Sequence, residues 1–312
     1  MTFEQMPSYA REQRKAGEGL FLLLNPTGDC EAEDKLHISQ LAVAFGADAI
    51  TRIVRNGLGH APEQCPALIQ LASPGQAITE YFAMSIQFAA AETAANKLYV
   101  SGWLFSEHPA AVIASHIVSQ SQLLQPTDSH VCAPWYEPTR LALLRTAMKN
   151  VGKLLGPIRV WLYPNISGDV TALEASPLSG KLVVPEIAMD VQRFAPQITQ
   201  LLAAWRRVNT SQHHYAPWQY TGDGGLPHHA PSHAFNLIYD AHRRGLRDCA
   251  DIQCLCLHTM MLHPLLLQHP TIEKDIQRAV AGKQNLISRF ATYDDAAWRQ
   301  IVAALPEARS YS

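Results

Sequence analysis

The sequence predicts an α/β (mixed α+β) N-terminal lobe, with a central sheet flanked by helices, followed by an all-helical C-terminal lobe. Three observations lead to this prediction. Short apolar runs bounded by glycine and proline alternate with helix-like segments as far as residue 163. After Pro185 the pattern is helical, without a convincing strand. The chain has 312 residues, 47% apolar and 17% charged, so it is long enough for about two domains and too apolar for general disorder.

The first lobe is predicted to alternate strands and helices along the chain. Apolar runs closed by glycine or proline predict strands at residues 20–25, 50–54, 67–72, 98–105, 130–136 and 158–163. Helical spacing of apolar residues predicts helices at residues 31–45, 76–95, 107–125 and 138–155. Ser106 is the expected N-cap of the third of these helices, with Pro109 in its first turn.

The second lobe is predicted to be helical throughout. Its helical segments lie at residues 186–208, 232–245, 248–268, 271–281 and, in two pieces, 283–305. Glycine and proline cluster between residues 165 and 185, which marks the boundary between the lobes. The predicted organisation is a polar N-terminal segment at 1–19, the α/β lobe at 20–170 and the helical lobe at 186–312.

Charge and hydropathy exclude several classes of function. The net charge is −2, from 25 basic and 27 acidic residues, so no overall field attracts nucleic acid or an anionic membrane. The apolar run at 20–24 is shorter than the ~7–15 residues of a signal h-region, and the run at 252–267 is shorter than the ~20 residues of a membrane span. Six scattered cysteines are typical of reduced thiols. We therefore expect a cytoplasmic protein without disulfides.

Histidines are concentrated in the second lobe, which brings metal binding into consideration. The alternative function is a metal-dependent hydrolase that uses the stretch 213–242, with His228, His229 and His233 as ligands and a metal-activated water as nucleophile. The spacing lacks the His-Glu-x-x-His pair that places two ligands on one helical face. A histidine-rich polar loop is the favoured interpretation, so we predict no metal and no cofactor.

Residue patterns for covalent catalysis are also missing from the sequence. There is no Gly-x-Ser-x-Gly nucleophile elbow. Cys254 and His258 would share one helix face, but their apolar neighbours indicate a packed helix in which cysteine acts as a small hydrophobe. We therefore predict no catalytic residues, and a protein that is not an enzyme.

Aromatic residues are the candidates for contact with a protein partner. Tryptophan and tyrosine are favoured at interfaces because they contribute a large area with few rotatable bonds, although they are equally ordinary core residues. Some lie on or beside the predicted strands, and others lie in the irregular stretch between the first two helices of the second lobe. The predicted partner-binding residues are Trp103, Trp135, Tyr136, Tyr215, Trp218 and Tyr220.

Three short motifs follow one another along the first lobe. The first is Phe-Leu-Leu-Leu-Asn-Pro at residues 21–26, at the end of the first predicted strand. The second is Cys-Pro-Ala-Leu-Ile-Gln-Leu at 65–71. The third is Gly-Trp-Leu-Phe-Ser at 102–106, followed by a predicted helix that carries His116.

A fourth motif, Trp-Tyr-Glu-Pro-Thr-Arg at 135–140, opens a leucine-rich helix that is followed by Gly156 and Pro157. In this order the motifs resemble those of the effector chaperones, or adaptors, of bacterial type VI secretion, whose N-terminal domain was catalogued as a domain of unknown function. The family pattern has aspartate where this chain has Glu137, and its arginine lies one position before Arg140.

The resemblance implies a cytoplasmic adaptor rather than an enzyme. Such an adaptor binds one toxic effector and delivers it to the secretion spike, the trimeric VgrG protein or its PAAR-type tip, and it binds neither nucleic acid nor membrane. The motif residues Glu137, Pro138, Arg140, Gly156 and Pro157 are expected to be structural. Glu137 and Arg140 are expected to pair across the start of their helix.

Overall fold

The computed structural model describes residues 1–55, 57–92, 98–126, 133–177, 182–209 and 226–307. The chain divides into two compact units, Met1–Arg193 and Phe194–Ser312. The first unit contains a sheet and helices, whereas the described residues of the second unit form helices and connecting turns. The predicted fold class is therefore confirmed.

An antiparallel sheet forms the centre of the first unit. Its described strands are β1 (Gly19–Leu24), β2 (Ile50–Arg52), β3 (Ala67–Ala72), β4 (Val100–Ser106), β5 (Val160–Pro164) and β6 (Val170–Glu174). They lie in the order β2-β3-β1-β4-β5-β6, and each neighbouring pair is antiparallel. β1 lies inside the sheet because it pairs with both β3 and β4. The antiparallel pairing gives the unit the α+β form of the predicted class.

Helices make up the rest of both units. Those that begin in the first unit are α1 (Met6–Gln13), α2 (Ile38–Phe45), α3 (Glu80–Ala91), α4 (Ala110–Leu123), α5 (Pro138–Ala147) and α6 (Glu186–Asn209). Those of the second unit are α7 (Ala230–Arg243), α8 (Cys249–Met261), α9 (Pro270–Val280), α10 (Leu286–Phe290) and α11 (Asp295–Ala303). Of the described helices, none has both the length and the hydropathy needed to span a membrane.

The core of the first unit forms on both faces of the sheet. Leu20, Leu22 and Leu24 of β1 belong to one hydrophobic cluster, together with Trp103 of β4. Phe21 and the other intervening residues of β1 point to the opposite face and are also buried. A strand with both faces covered needs a continuous apolar run. This requirement explains why residues 20–24 form a strand although apolar and polar residues do not alternate along it.

The start of α4 differs from the sequence prediction. Ser106 is the last residue of β4, and α4 begins after Pro109, which occupies the N-cap position. The Ser106 hydroxyl instead accepts the His108 amide at 3.0 Å and donates to the Pro157 carbonyl at 2.7 Å. Ser106 therefore ties the end of β4 to the chain just before β5, and the prediction that it caps α4 is wrong.

Two strand predictions also differ from the structure. The strand expected at 130–136 is not formed by its described part, 133–136, where the Trp135 amide donates to the Ala133 carbonyl at 2.8 Å in a turn. β6 was not expected, because its mixed polar and apolar pattern lies in the stretch read as the boundary between lobes. Only Val170 and Leu173 of its five residues are buried, so it contains no continuous apolar run.

Buried aspartates fix the helices of the second unit to one another. Asp251 of α8 accepts the Leu286 amide at the start of α10 at 2.8 Å. Asp275 of α9 is 2% exposed and accepts hydrogen bonds from Arg289 Nε at 3.1 Å and the Tyr293 hydroxyl at 2.5 Å. Charge-assisted bonds of this kind offset the cost of burying each carboxylate.

Glu92, at the C-terminal end of α3, holds the start of β4 through a carboxylate that is 9% exposed. Its two oxygens accept the amides of Tyr99 at 2.6 Å and Val100 at 3.0 Å. Burial raises the pKa of Glu92 from 4.5 to about 7, although the two backbone hydrogen bonds act in the opposite direction. The folded state therefore binds a proton at Glu92 more tightly than the unfolded state does.

We expect the Glu92 carboxyl to make the first unit more stable in weak acid than above neutral pH. Its contribution to the free energy of unfolding is largest below pH 4.5 and falls by about 3 kcal/mol as pH rises through 7. Urea unfolding of the wild type and Glu92→Gln across this range measures the effect, since the variant lacks the titrating group. Parallel pH profiles for the two proteins would contradict the prediction.

Candidate partner-binding site

Arg140 fixes the first turn of α5 to the start of α6. It is 7% exposed, and its Nε donates to Glu137 Oε2 at 2.8 Å, which confirms the predicted pairing. Its Nη1 donates to the backbone carbonyl of Gln192 at 3.0 Å and to the side-chain oxygen of the same residue at 2.8 Å. Pro138 occupies the first helical turn, where its missing amide costs nothing. The cation thus helps to hold two helices together.

Gly156 meets the imidazole of His116, which lies on α4. Gly156 has φ +52°, and a Cβ there would lie 2.3 Å from His116 Cε1, so only glycine fits. His116 Nε2 donates to the Leu154 carbonyl at 2.7 Å. Burial lowers the pKa of His116, although this hydrogen bond opposes the shift. The ring therefore acts as a neutral spacer between α4 and the chain that leads into β5.

The strand aromatics are core residues rather than surface anchors. Trp103 and Trp135 are 0% exposed, and Tyr136 is 1% exposed. Trp103 Nε1 donates to the Ser85 hydroxyl at 2.8 Å, and Trp135 Nε1 donates to the Ile117 carbonyl at 3.0 Å. The prediction that these three residues face a partner is corrected, because each already has its ring buried and the two indoles have their polar atoms satisfied. The other predicted partner-binding residues, Tyr215, Trp218 and Tyr220, lie outside the described residues.

The sequence motifs that are far apart along the chain are brought together in the first unit. We call the set formed by Ser106, His116, Trp135, Glu137, Arg140, Gly156 and Pro157 the motif framework. Its members connect β4, α4, α5, the chain before β5 and the start of α6 through the contacts described above. These side chains bond to one another and to backbone carbonyls, so they hold the neighbouring elements in position.

A groove lies at the C-terminal end of α5, beside the motif framework. We call it the α5 groove; it is a cavity of about 340 Å³ lined by residues 147–150, Lys153, Leu182, Val183 and Pro185. It forms because α5 ends at Ala147. The sequence predicted that this helix would continue to residue 155. Met148 turns to an extended conformation with φ −123° and ψ 119°, which leaves space against the chain that leads into α6.

The walls and rim of the α5 groove differ in character. Met148, Leu182, Val183 and Pro185 supply apolar surface, and Val183 is 74% exposed. Lys149 and Lys153 supply cations, and no carboxylate belongs to the described residues that line it. Sequence reasoning missed this site. The available signal was the apolar run Leu-Val-Val at 182–184, which lies in a region read as a boundary and belongs to no helix or strand.

Described histidines of the stretch 213–242 do not form a metal site. His228 and His229 are exposed, with ring centroids 5.5 Å apart, and His233 is half-buried. Among the described residues there is no group of three histidine, cysteine, aspartate or glutamate side chains placed to hold a metal ion. His228, His229 and His233 therefore do not converge as the alternative function requires, and residues 213 and 214 lie outside the described part of the chain.

The inner histidines of the same stretch pack against aromatic rings. His233 lies edge-on to Trp205 at a centroid distance of 5.8 Å, and burial lowers its pKa. His242 stacks on Phe194 at 4.4 Å, and its Nε2 donates to Gln197 Oε1 at 3.1 Å. Both imidazoles lie in the helical packing of the second unit, where a flat ring fills space between helices.

Cys254 and His258 do share a helix face, and both are packed, as the sequence predicted. The His258 ring lies 4.9 Å from Phe290 and 5.1 Å from Trp298 between ring centroids, and its Nδ1 donates to the Cys254 carbonyl at 2.8 Å. Burial, assisted by the charge of Asp251, raises the pKa of the Cys254 thiol to about 11. A thiol that stays protonated at neutral pH is a poor nucleophile.

Comparison with known proteins gives no match to this chain. No family model matches it. Neither the curated proteins nor the solved structures contain a significant match. The resemblance to effector chaperones therefore depends on the motif residues and on where the structure places them.

Proposed function

We propose that this chain is an adaptor of a bacterial type VI secretion system. It binds one toxic effector in the cytoplasm and delivers it to the VgrG protein or its PAAR-type tip. In this role it catalyses no reaction and needs no cofactor, and its partners are proteins rather than nucleic acid or membrane.

One observation carries the proposal: residues of the third and fourth motifs of the resemblance assemble into the single motif framework. Ser106, His116, Arg140 and Gly156 come from four parts of the sequence, yet they join neighbouring elements by short hydrogen bonds or close packing. Residues that share one structural task give a physical reason for the motifs to occur together in this order. A chance similarity of short apolar strings supplies no such reason.

The surface next to the motif framework also favours a protein partner. The α5 groove is open, partly apolar and supported on the end of α5, whose other end is held by Arg140. An open groove with apolar walls has room for apolar side chains of a partner.

Co-expression with the toxin encoded beside this protein tests the proposal. We expect the two proteins to co-elute in one peak in size-exclusion chromatography, at a mass that contains both chains, and to leave the column separately when the effector of another system is substituted. Separate elution of the cognate pair would contradict the proposal. Elemental analysis of the same preparation covers the alternative, because one transition-metal ion per chain together with hydrolase activity would favour the hydrolase.

A further inference from the structure

We propose that the outer edge of β6 binds an extended segment of the effector, which adds to the sheet as a further strand. The inference rests on the proposed function, because the segment belongs to the effector. It goes beyond that function by naming the surface that binds the effector and the chemistry that this surface recognises, which is the main chain of an extended polypeptide.

β6 is an edge of the described sheet, because it pairs there with β5 on one side only. Just beyond the strand, the Ala175 amide donates to the Arg159 carbonyl at 2.8 Å, so the odd-numbered residues of this segment face β5. Backbone groups change direction from one residue to the next along an antiparallel strand. The amides and carbonyls of Val170, Ala172 and Glu174 therefore point to the outer edge of the sheet.

Ala172, in the middle of this edge, has backbone groups that the protein does not use. Among the described residues, no hydrogen bond engages its amide or its carbonyl. Its side chain is exposed, so solvent reaches this part of the strand. An unpaired donor and acceptor on an open strand edge form a template for pairing with another chain.

One outward-facing group of the edge already binds a main chain. The Val170 amide donates to the backbone carbonyl of Met1 at 2.8 Å, and Met1 belongs to none of the described strands. Ala172 presents the same kind of donor two residues further along, together with an acceptor. An extended main chain satisfies both groups, since its own amides and carbonyls repeat with the period of the strand.

The two ends of the edge favour a single segment over a second copy of this chain. Met1 lies at the Val170 end. At the other end, Gly152 packs so closely on the Glu174 carbonyl that a Cβ on Gly152 would not fit. A free segment can bend away from the sheet beyond these two points. Two β6 strands paired about a two-fold axis would instead bring the residues that cover the ends of one copy against those of the other.

Ala172→Pro tests the edge, because proline lacks the amide hydrogen that points outward. The Ala172 amide does not face β5, and an edge strand tolerates proline at such a position, so pairing with β5 is retained. We expect the variant to bind the toxin encoded beside this protein at least about tenfold more weakly than the wild type. The reason is that a main-chain acceptor of the toxin loses its donor and meets the proline ring. Isothermal titration of the purified proteins measures the affinity.

Ala172→Val is the matched control. It keeps the amide, and valine is favoured in strands, so its affinity for the toxin should stay within about twofold of the wild-type value. Urea unfolding of the wild type and both variants checks that all three are folded under the binding conditions. Equal affinity of the wild type and a folded Ala172→Pro variant would overturn the inference.

Hydrogen exchange examines the same edge in the wild-type protein, whether or not Ala172→Pro folds. We expect the amides of Ala172 and Glu174 to exchange at least about tenfold more slowly in the toxin complex than in the free protein, because strand addition protects outward-facing amides. Unchanged exchange of both amides in the complex would also overturn the inference.

These experiments separate the inference from the proposed function. If the wild type and Ala172→Pro bind the toxin equally well, the edge inference is wrong and the adaptor function stands. If the wild type binds no toxin, both are wrong. If the wild type elutes by itself as a dimer that Ala172→Pro converts to a monomer, the edge pairs two copies of this chain and the inference is wrong.

Discussion

Gly102→Ala is expected to destabilise the first unit by about 4 kcal/mol, which combines backbone strain and overpacking. Gly102 lies in β4 with φ +149°, a conformation that side-chain-bearing residues rarely adopt. A Cβ there would lie 2.4 Å from the Leu162 carbonyl oxygen and 2.5 Å from Trp161 Nε1. Neither the backbone of β5 nor a fully buried indole can move away cheaply.

The reason for this conformation is a bulge in the pairing of β1 with β4. Leu23 is opposite Gly102, but the next residue of β1, Leu24, is opposite Val100, so Ser101 is an extra residue in β4. Bulges of this kind concentrate twist at one point of a strand and favour glycine there. Trp103, the next residue, is then directed into the core cluster of the first unit.

Gly168→Ala is the control for backbone strain alone. Gly168 has φ +84°, and a Cβ there would meet no atom within 4 Å. Its replacement should cost only about 1 kcal/mol. Urea unfolding followed by tryptophan fluorescence compares the two variants with the wild type. An equal loss of stability for both would show that the contact with β5 does not constrain Gly102.

The sequence predicted those elements whose pattern is set locally. β3 matches its predicted bounds, 67–72, because Pro66 and Pro74 delimit a run that is apolar except for Gln70. The sequence failed at Trp135, whose apolar neighbours resemble a strand, because the direction of the chain there depends on a tryptophan contact with α4.

In the candidate site, too, local contacts could be predicted and long-range contacts could not. The pairing of Glu137 with Arg140 could be predicted because the two residues are three positions apart on a helix. The bonds from Arg140 to Gln192 span 52 positions and could not be predicted from spacing. Burial of Trp103 and Trp135 was also beyond sequence reasoning, since core and interface tryptophans share one composition.

Arg159→Met is the second substitution with a large expected effect, about 3–5 kcal/mol, because it leaves a buried carboxylate without its cation. Glu18, just before β1, is 0% exposed. Arg159 donates to both of its oxygens, through Nε and, at 2.7 Å, through Nη2. The Lys15 amide adds a bond at 2.9 Å. Burial raises the pKa of Glu18, but these hydrogen bonds and charges outweigh it, so the pKa is lowered overall.

A double variant separates the cost of leaving the Glu18 carboxylate without its cation from the net contribution of the ion pair to stability. In Glu18→Gln/Arg159→Met neither ion is present, so we expect it to be more stable than Arg159→Met alone. Urea unfolding of the wild type, both single variants and the double variant completes the cycle. If the double variant were the least stable of the four, the carboxylate of Glu18 would not be the source of the loss.

The pH dependence of the stability of the same variants gives an independent check that the charge of Glu18 causes the loss. In the wild type the lowered pKa of Glu18 means that the pair stabilises the fold above pH 4.5, and that this contribution is lost as pH falls through the lowered pKa. In Arg159→Met the buried, unpaired carboxyl has a raised pKa, so protonation relieves the penalty as pH falls from about 7 to 5. The stability difference between the wild type and Arg159→Met should therefore shrink in weak acid. A difference that stayed constant from pH 7 to 5 would place the loss in the contact of Arg159 with the Gln13 carbonyl, at 2.7 Å, or with the Phe105 ring, rather than in the charge of Glu18.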